Sequence, residues 1–191
     1  MRGLIEIRLT IRSLDSGTHS GAAGGIVPST TNILRTLLDR ISKAPSGEII
    51  LDELNIEIPD HIRLAAENVA EILGSTDAHG LPFAKGVEPL VQSVADQLIA
   101  NTYKPALEII GIDGIPSTAD AGNVLLPYIN VSLSFRIPPG VVPEIAVGSI
   151  TQELNRDTPY NAQVTVAVES LASGWAAPER AKWLSEAIER D

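Results

Sequence analysis

A strict alternation of apolar and polar residues near the N-terminus constrains the fold of this chain more than any other feature. Between Leu4 and Arg12 every second residue is aliphatic, and the residues between them are polar or charged. The aliphatic positions are Ile5, Ile7, Leu9 and Ile11. A period of two residues places them on one face of a β-strand. The pattern predicts a strand that buries one face and exposes the other to water.

Three later segments are predicted to be strands as well. The run "YINVSLSFRI" (128–137) alternates in the same way and is followed by Pro138-Pro139-Gly140, which ends it. The run "AQVTVAVES" (162–170) also alternates, and "ALEIIGI" (106–112) is a short apolar run that ends among glycines. The chain therefore offers four strands for one sheet.

Two helices are predicted between these strands. The first begins after the glycine-rich turn, at Pro28-Ser29-Thr30, and ends before Pro45. Its apolar residues recur at helical spacing, namely Ile33, Leu34, Leu37, Leu38 and Ile41. The second helix is predicted over Val142–Asn155. Its apolar positions are Ile145, Ile150 and Leu154.

The order of these elements predicts the fold class. Strand, helix, strand, strand, helix, strand, with polar faces on at least three strands, is typical of an antiparallel sheet covered on one side. We predict an α+β two-layer sandwich: a four-stranded antiparallel sheet with two helices on one face, the ferredoxin-like βαββαβ arrangement.

Two further segments lie outside this minimal unit. Residues 46–102 carry two helical patterns, His61–Leu73 and Glu88–Asn101, and are predicted to be a helical insertion. Residues 178–191 are predicted to start another amphipathic helix, with Trp183 and Leu184 on its apolar side. This pattern stops without a cap, as it would if a longer chain were cut there.

Composition and charge exclude several classes of function. The chain has 191 residues, of which 44% are hydrophobic, so it can bury a core of its own. It lacks cysteine, which removes disulfides, thiolate metal sites and a cysteine nucleophile. Its net charge of -10, without a Lys/Arg cluster, argues against nucleic acid as a partner. No apolar run is long enough to span a membrane, and we expect a cytoplasmic protein.

Familiar catalytic motifs are missing from the sequence. The three histidines, His19, His61 and His79, show no HExxH or His-x-Asp spacing, and there is no Glu-Glu pair, GxSxG elbow or P-loop. "GAAGG" lies between a strand and a helix, but its glycine spacing is wrong for a dinucleotide fingerprint. We therefore predict no metal site within this chain, and interpret His61 and His79 as surface residues.

Three residues remain as candidates for a site. His19 is flanked by Ser and Gly and has little to pack against, so it is either a turn histidine in water or a functional residue. Arg136 shares the polar strand face with Ser132 and Ser134; it is either an ordinary exposed arginine or a guanidinium that binds a carboxylate. Asn123 follows Gly122 and is at least a turn residue.

These residues lie in motifs that resemble a known domain. "THSGAAGGIVPSTTNILRTLL", "IIGIDG", "AGNVLLP" and "LSFRIPPG" follow one another as in the lid, or dimerisation, domain of metallopeptidase family twenty, which includes carnosinase, carboxypeptidase G and acetylornithine deacetylase. The resemblance covers residues 3–177, and the motifs are similar in style to those of the dipeptidase branch. It implies domain boundaries of 1–177 for the lid, with 46–102 as its insertion, and 178–191 as the start of the second half of a catalytic domain.

The resemblance also implies roles and partners. His19 matches the histidine that enters the other subunit's active site and stabilises the oxyanion; Arg136 matches the arginine that binds the substrate carboxylate, and Asn123 a substrate-contacting residue. For the full-length enzyme, the resemblance implies a homodimer formed through this domain and a catalytic domain in the same chain. It also implies a peptide substrate and two divalent metal ions, expected to be zinc. The chain alone, lacking ligands and general base, is expected to be inactive. The proline of "NVLLP" lies one residue later than in the family pattern.

Two other functions stay open at this point. A standalone ferredoxin-like module for interaction or small-molecule sensing would need no catalytic domain. The lid of an amino-acid deacylase would carry the same motifs as that of a peptidase.

Overall fold

The computed structural model describes residues 1–74 and 79–178. Its helices and strands follow one another along the chain as β1 (Gly3–Arg12), β2 (Thr18–His19), α1 (Ser20–Ala23), α2 (Thr30–Leu38), β3 (Ser42–Lys43), β4 (Glu48–Ile49), α3 (Asp60–Leu73), α4 (Val94–Tyr103), β5 (Ala106–Asp113), β6 (Val124–Leu125), β7 (Tyr128–Ile137), α5 (Pro143–Asn155) and β8 (Gln163–Ala172). Short 3₁₀ turns lie at Asp52–Leu54 and Pro159–Asn161. The helix predicted over 178–191 lies outside the described residues apart from Pro178.

The four long strands form one antiparallel sheet in the order β5-β7-β1-β8. The first strand thus lies between the third and the fourth, and the second strand lies at an edge, as in the ferredoxin-like arrangement. The predicted α+β sandwich is confirmed.

The core lies between one face of the sheet and the helices α2 and α5. Alternate residues of β1 and β7 are almost completely buried, and opposing pairs such as Ile7 with Leu133 share this face. The helices contribute Ile33, Leu34 and Leu37 from α2 and Ala146, Ile150 and Leu154 from α5. The opposite face of the sheet carries polar residues, among them the hydrogen-bonded pair Thr10 and Asn130. The period-two pattern of the sequence therefore indicates which strand residues face the core and which face the opposite side of the sheet.

Four details differ from the sequence predictions, the first being that α2 ends at Leu38 and does not include Ile41. Ile145, expected to be buried in α5, is 58% exposed, because the buried stripe of that helix runs through Ala146 and Ile150. The helix predicted from Glu88 begins only at Val94, where Ser93 caps it. Residues 48–58 of the predicted helical insertion are not α-helical, and part of this stretch packs into the main core.

Candidate functional site

The loop that carries His19 lies at the C-terminal end of β1. Arg12, the last residue of β1, pairs with Tyr128, the first of β7, and its guanidinium lies 5.2 Å from the centroid of that ring. The next two backbone N–H groups, of Ser13 and Leu14, donate to the carbonyl of Pro127 at 2.9 and 3.3 Å. The loop is therefore held against the segment that leads into β7.

His19 and Asn123 are brought together by two very short strands. β2 pairs with β6 so that His19 lies opposite Val124. One residue on, the N–H of Ser20 donates to the carbonyl of Asn123 at 2.8 Å. Both His19 and Asn123 are exposed. Two of the three candidate residues thus share one end of the sheet, which we call the histidine end.

The imidazole of His19 is held by its own loop. The N–H of Gly21 donates to Nδ1 of His19 at 3.0 Å, and His19 is the N-cap of the helical turn α1. Because a neutral imidazole with an accepting Nδ1 carries its proton on Nε2, the exposed ring can act as a hydrogen-bond donor.

Arg136 lies at the opposite end of the sheet, which we call the arginine end. In β7 it pairs with Leu4 on one side and Ala106 on the other, and it is exposed. Ser134, two residues earlier in β7, lies on the same face, as predicted, but is only 8% exposed. Within the described residues, no carboxylate forms an ion pair with Arg136.

A second guanidinium, that of Arg2, lies near Arg136 at the arginine end. The pKa of Arg2 lies below its ordinary value, chiefly because the group is partly buried and also because the positive charge of Arg136 is near. Arg2 itself donates to the carbonyls of Ala100 and Lys104 and to Oδ1 of Asn101, at 3.4, 3.2 and 3.0 Å. An anion at this end would relieve the repulsion between the two guanidinium groups.

The two ends are too far apart to meet on one small substrate. Arg136 is eight residues along β7 from Tyr128, and at about 3.4 Å per residue this is roughly 27 Å. A dipeptide spans only about 7 Å. The thirteen residues between Asn123 and Arg136 include a predicted strand, whose length already requires this separation.

The remaining predictions about site residues concern metals and the other histidines. Among residues 1–74 and 79–178, no three His, Asp or Glu side chains come together as metal ligands would. This part of the chain therefore does not fit a metal ion. His61 and His79 are exposed, and His79 lies 3.3 Å, Nε2 to Nδ2, from Asn101.

The same sandwich occurs as part of longer chains in several solved peptidase structures. Similar solved structures include the dipeptidase Dug1p from Saccharomyces cerevisiae (TM-score 0.71, 17% identity, 93% of this chain and 37% of that one) and human carnosine dipeptidase 1 (0.69, 19%, 93% and 38%). A metallo-carboxypeptidase of family M20 from Sulfolobus solfataricus is similar as well (0.64, 15%, 87% and 42%). The resemblance seen in the sequence is confirmed at the level of the fold.

The match covers only part of each of these solved structures. The chain spans about two fifths of the length of these structures. No model of a protein family matches the sequence, and no curated protein matches it either. In the described part of the chain no helix has the length and apolar character needed to cross a bilayer. The cytoplasmic location stays a prediction.

Proposed function

We propose that this chain is the dimerisation and substrate-capping domain of a peptidase that hydrolyses dipeptides, and that its two ends serve two different active sites. The observation that carries the proposal is the separation of His19 and Asn123 from Arg136 along β7. If all three contact one substrate, they have to come from two copies of the chain. Two of the similar structures are dipeptidases, which favours a dipeptide as substrate.

The β5 edge supports a specific way to bring two copies together. β5 lies at one edge of the sheet and exposes Ile109, Ile110 and Ile112 by 43–59%. An uncovered apolar edge strand is a surface for pairing with another chain. The other edge, β8, places the charged Glu169 at its register shift, whereas β5 has Ile110 at the corresponding irregularity. A charge on an edge strand disfavours pairing with another chain, so we propose β5 as the strand that pairs in the dimer.

Symmetry then determines which ends meet. β5 runs from Ala106, beside Arg136, to Asp113, beside Asn130 near the histidine end. Two β5 strands related by a two-fold axis pair antiparallel. Such a pairing would bring the histidine end of one copy next to the arginine end of its partner.

The side chains at each end have the chemistry needed for the hydrolysis of a peptide bond. The Nε2–H of His19 would donate to the oxyanion of the tetrahedral intermediate, and the carbonyl-anchored loop would hold Asn123 beside it. From the partner copy, the guanidinium of Arg136 would bind the substrate carboxylate with parallel hydrogen bonds. An enzyme of this kind uses a divalent metal ion to activate water. The described residues bring no three ligands together for it, so the rest of a longer protein would have to hold it.

Mixed dimers of the longer enzyme test this proposal directly. His19→Ala and Arg136→Ala should each lower kcat/KM about 100-fold or more when present in both subunits. When the two variants are co-expressed, half of the dimers are mixed and each mixed dimer keeps one intact site. The mixture should therefore recover about a quarter of the wild-type rate.

A second mixture is the matched control. His19→Ala with Asn123→Ala should show no recovery, because both residues come from the same copy. If the first mixture forms mixed dimers, verified by mass spectrometry, and yet stays inactive, the division into two ends is wrong. Hydrolysis of N-acyl amino acids in preference to dipeptides would favour the deacylase alternative.

A further inference from the structure

The ring of His19 takes the place of an N-cap side chain. Its backbone is extended, with φ -64° and ψ 128°, and its Nδ1 accepts the N–H of Gly21, the second residue of α1. Ser, Thr, Asp and Asn are the usual residues at this position because their oxygens accept such a bond. Here an imidazole nitrogen does so, and that ties the tautomer and orientation of the ring to the start of the helix.

We propose that Gly21 is a positioning residue: its N–H holds His19 in the Nε2–H tautomer and so presents a donor rather than an acceptor to the reacting carbonyl. A nitrogen that accepts a backbone N–H cannot also carry the proton of a neutral ring. The tautomer part of this inference stands on the hydrogen bond alone. Its consequence for the rate rests on the proposed function.

The space around Gly21 explains why a glycine occupies this position. A Cβ atom added to Gly21 would lie 3.0 Å from Cε1 and 3.1 Å from Nδ1 of His19. These distances are tighter than ordinary van der Waals contact, so any larger residue has to push the ring away by a few tenths of an ångström. Donors to an oxyanion act over about 2.7–3.1 Å, so a shift of this size reduces their effect.

Nuclear magnetic resonance of the ¹⁵N-labelled chain tests the tautomer without any catalysis. We expect a coupling across the hydrogen bond between the amide nitrogen of Gly21 and Nδ1 of His19, and a ring spectrum of the Nε2–H form at about pH 8.5, where an ordinary imidazole is neutral. A spectrum with the proton on Nδ1, or the absence of the coupling in the wild-type chain, would overturn the inference.

Two variants compared with each other separate the hydrogen bond from the crowding, because both add a Cβ at position 21 and only Gly21→Pro removes the N–H. Gly21→Pro removes the N–H at a position in the first helical turn where proline is tolerated. It should lower the ratio of the Nε2–H to the Nδ1–H form about fivefold, which is the effect of one ordinary hydrogen bond. Gly21→Ala keeps the N–H and moves the ring. The matched control is Gly148→Ala in α5, where an added Cβ meets nothing within 4 Å. A ratio in Gly21→Pro equal to that in Gly21→Ala would overturn the inference.

Kinetics of the longer enzyme connect the tautomer to the rate. Gly21→Ala should lower kcat about tenfold with little change in KM, because the oxyanion forms after binding, and Gly148→Ala should leave both unchanged. His19→Ala is the reference. If His19→Ala keeps the wild-type rate, the proposed function has failed; if it loses the rate while both Gly21 variants keep it, the role of Gly21 has failed.

Discussion

The sandwich and the α3–α4 pair are both held together by buried apolar side chains, but their cores differ greatly in size. In the sandwich a single cluster joins the sheet, α2 and α5, and most of its strand residues are at most 1% exposed. Among residues 1–74 and 79–178, those buried between α3 and α4 are Ile58, Ala66 and Ile99, at 4–8% exposure. On α3, Leu64 and Ile72 are 59% and 84% exposed.

This contrast has consequences for stability and for function. Buried apolar area is the main favourable term in folding, so the sandwich can carry the cooperativity of the chain and the helical pair cannot. Both ends of the sheet that hold the candidate site belong to the sandwich. The helical pair should therefore be able to open locally while His19, Asn123 and Arg136 stay in position.

The largest expected effect comes from the centre of the sandwich. Phe135 is completely buried in β7, and Phe135→Ala should lower the free energy of unfolding by about 3–5 kcal/mol. Urea denaturation followed by circular dichroism measures the loss. The other phenylalanine, Phe83, is 41% exposed, so Phe83→Ala is the matched control and should cost less than about 1 kcal/mol. Similar losses in the two variants would contradict the assignment of stability to the sandwich.

Much of the sandwich could be predicted from sequence because its pattern is local. The strands β1, β7 and β8 show the alternation, β5 is a short apolar run, and every predicted strand boundary agrees with the structure within two residues. The pairs β2–β6 and β3–β4 were not predicted, since strands of two residues are too short to show any period.

The candidate site was predicted only in part, for a related reason. The motifs gave His19, Asn123 and Arg136 as residues, but their arrangement depends on which strands pair. His19 meets Asn123 through β2 and β6, more than a hundred residues apart in sequence. The hydrogen bond from Gly21 to the His19 ring depends on a side-chain rotamer, which the residue order does not specify.

A smaller effect should come from the core of the helical pair. Ile99 is 4% exposed, and Ile99→Ala should cost about 2 kcal/mol, the low end for such a change because its neighbours are few. Hydrogen exchange should show faster exchange in α3 and α4 and unchanged protection in β1. Ile7→Ala, at a site 1% exposed in β1, is the matched variant and should weaken protection throughout the sandwich. Equal loss of protection in β1 for both variants would mean that the two regions unfold together.

One link between the two regions is the C-terminal end of α4, which is held by an arginine. The guanidinium of Arg2, just before β1, donates to the carbonyls of Ala100 and Lys104 and to Asn101. These are groups at the C-terminus of α4, where the last carbonyls lack partners within the helix and the dipole favours a positive charge. Arg40 does the same for α5 through the carbonyls of Glu153, Arg156 and Asp157.

The smallest predicted effect is therefore the loss of this cap. Arg2→Ala should cost about 1 kcal/mol and raise the exchange rates of amides in α4 about fivefold, with little change in β7. Arg2→Lys should recover only part of the loss, because an ammonium cannot reach three acceptors with the planar fork of a guanidinium. Arg40→Ala is the control and should affect α5 instead of α4. If Arg2→Ala leaves α4 as protected as before, the helical pair is held to the sandwich by its apolar contacts alone, and the contrast between the two cores is smaller than their burial indicates.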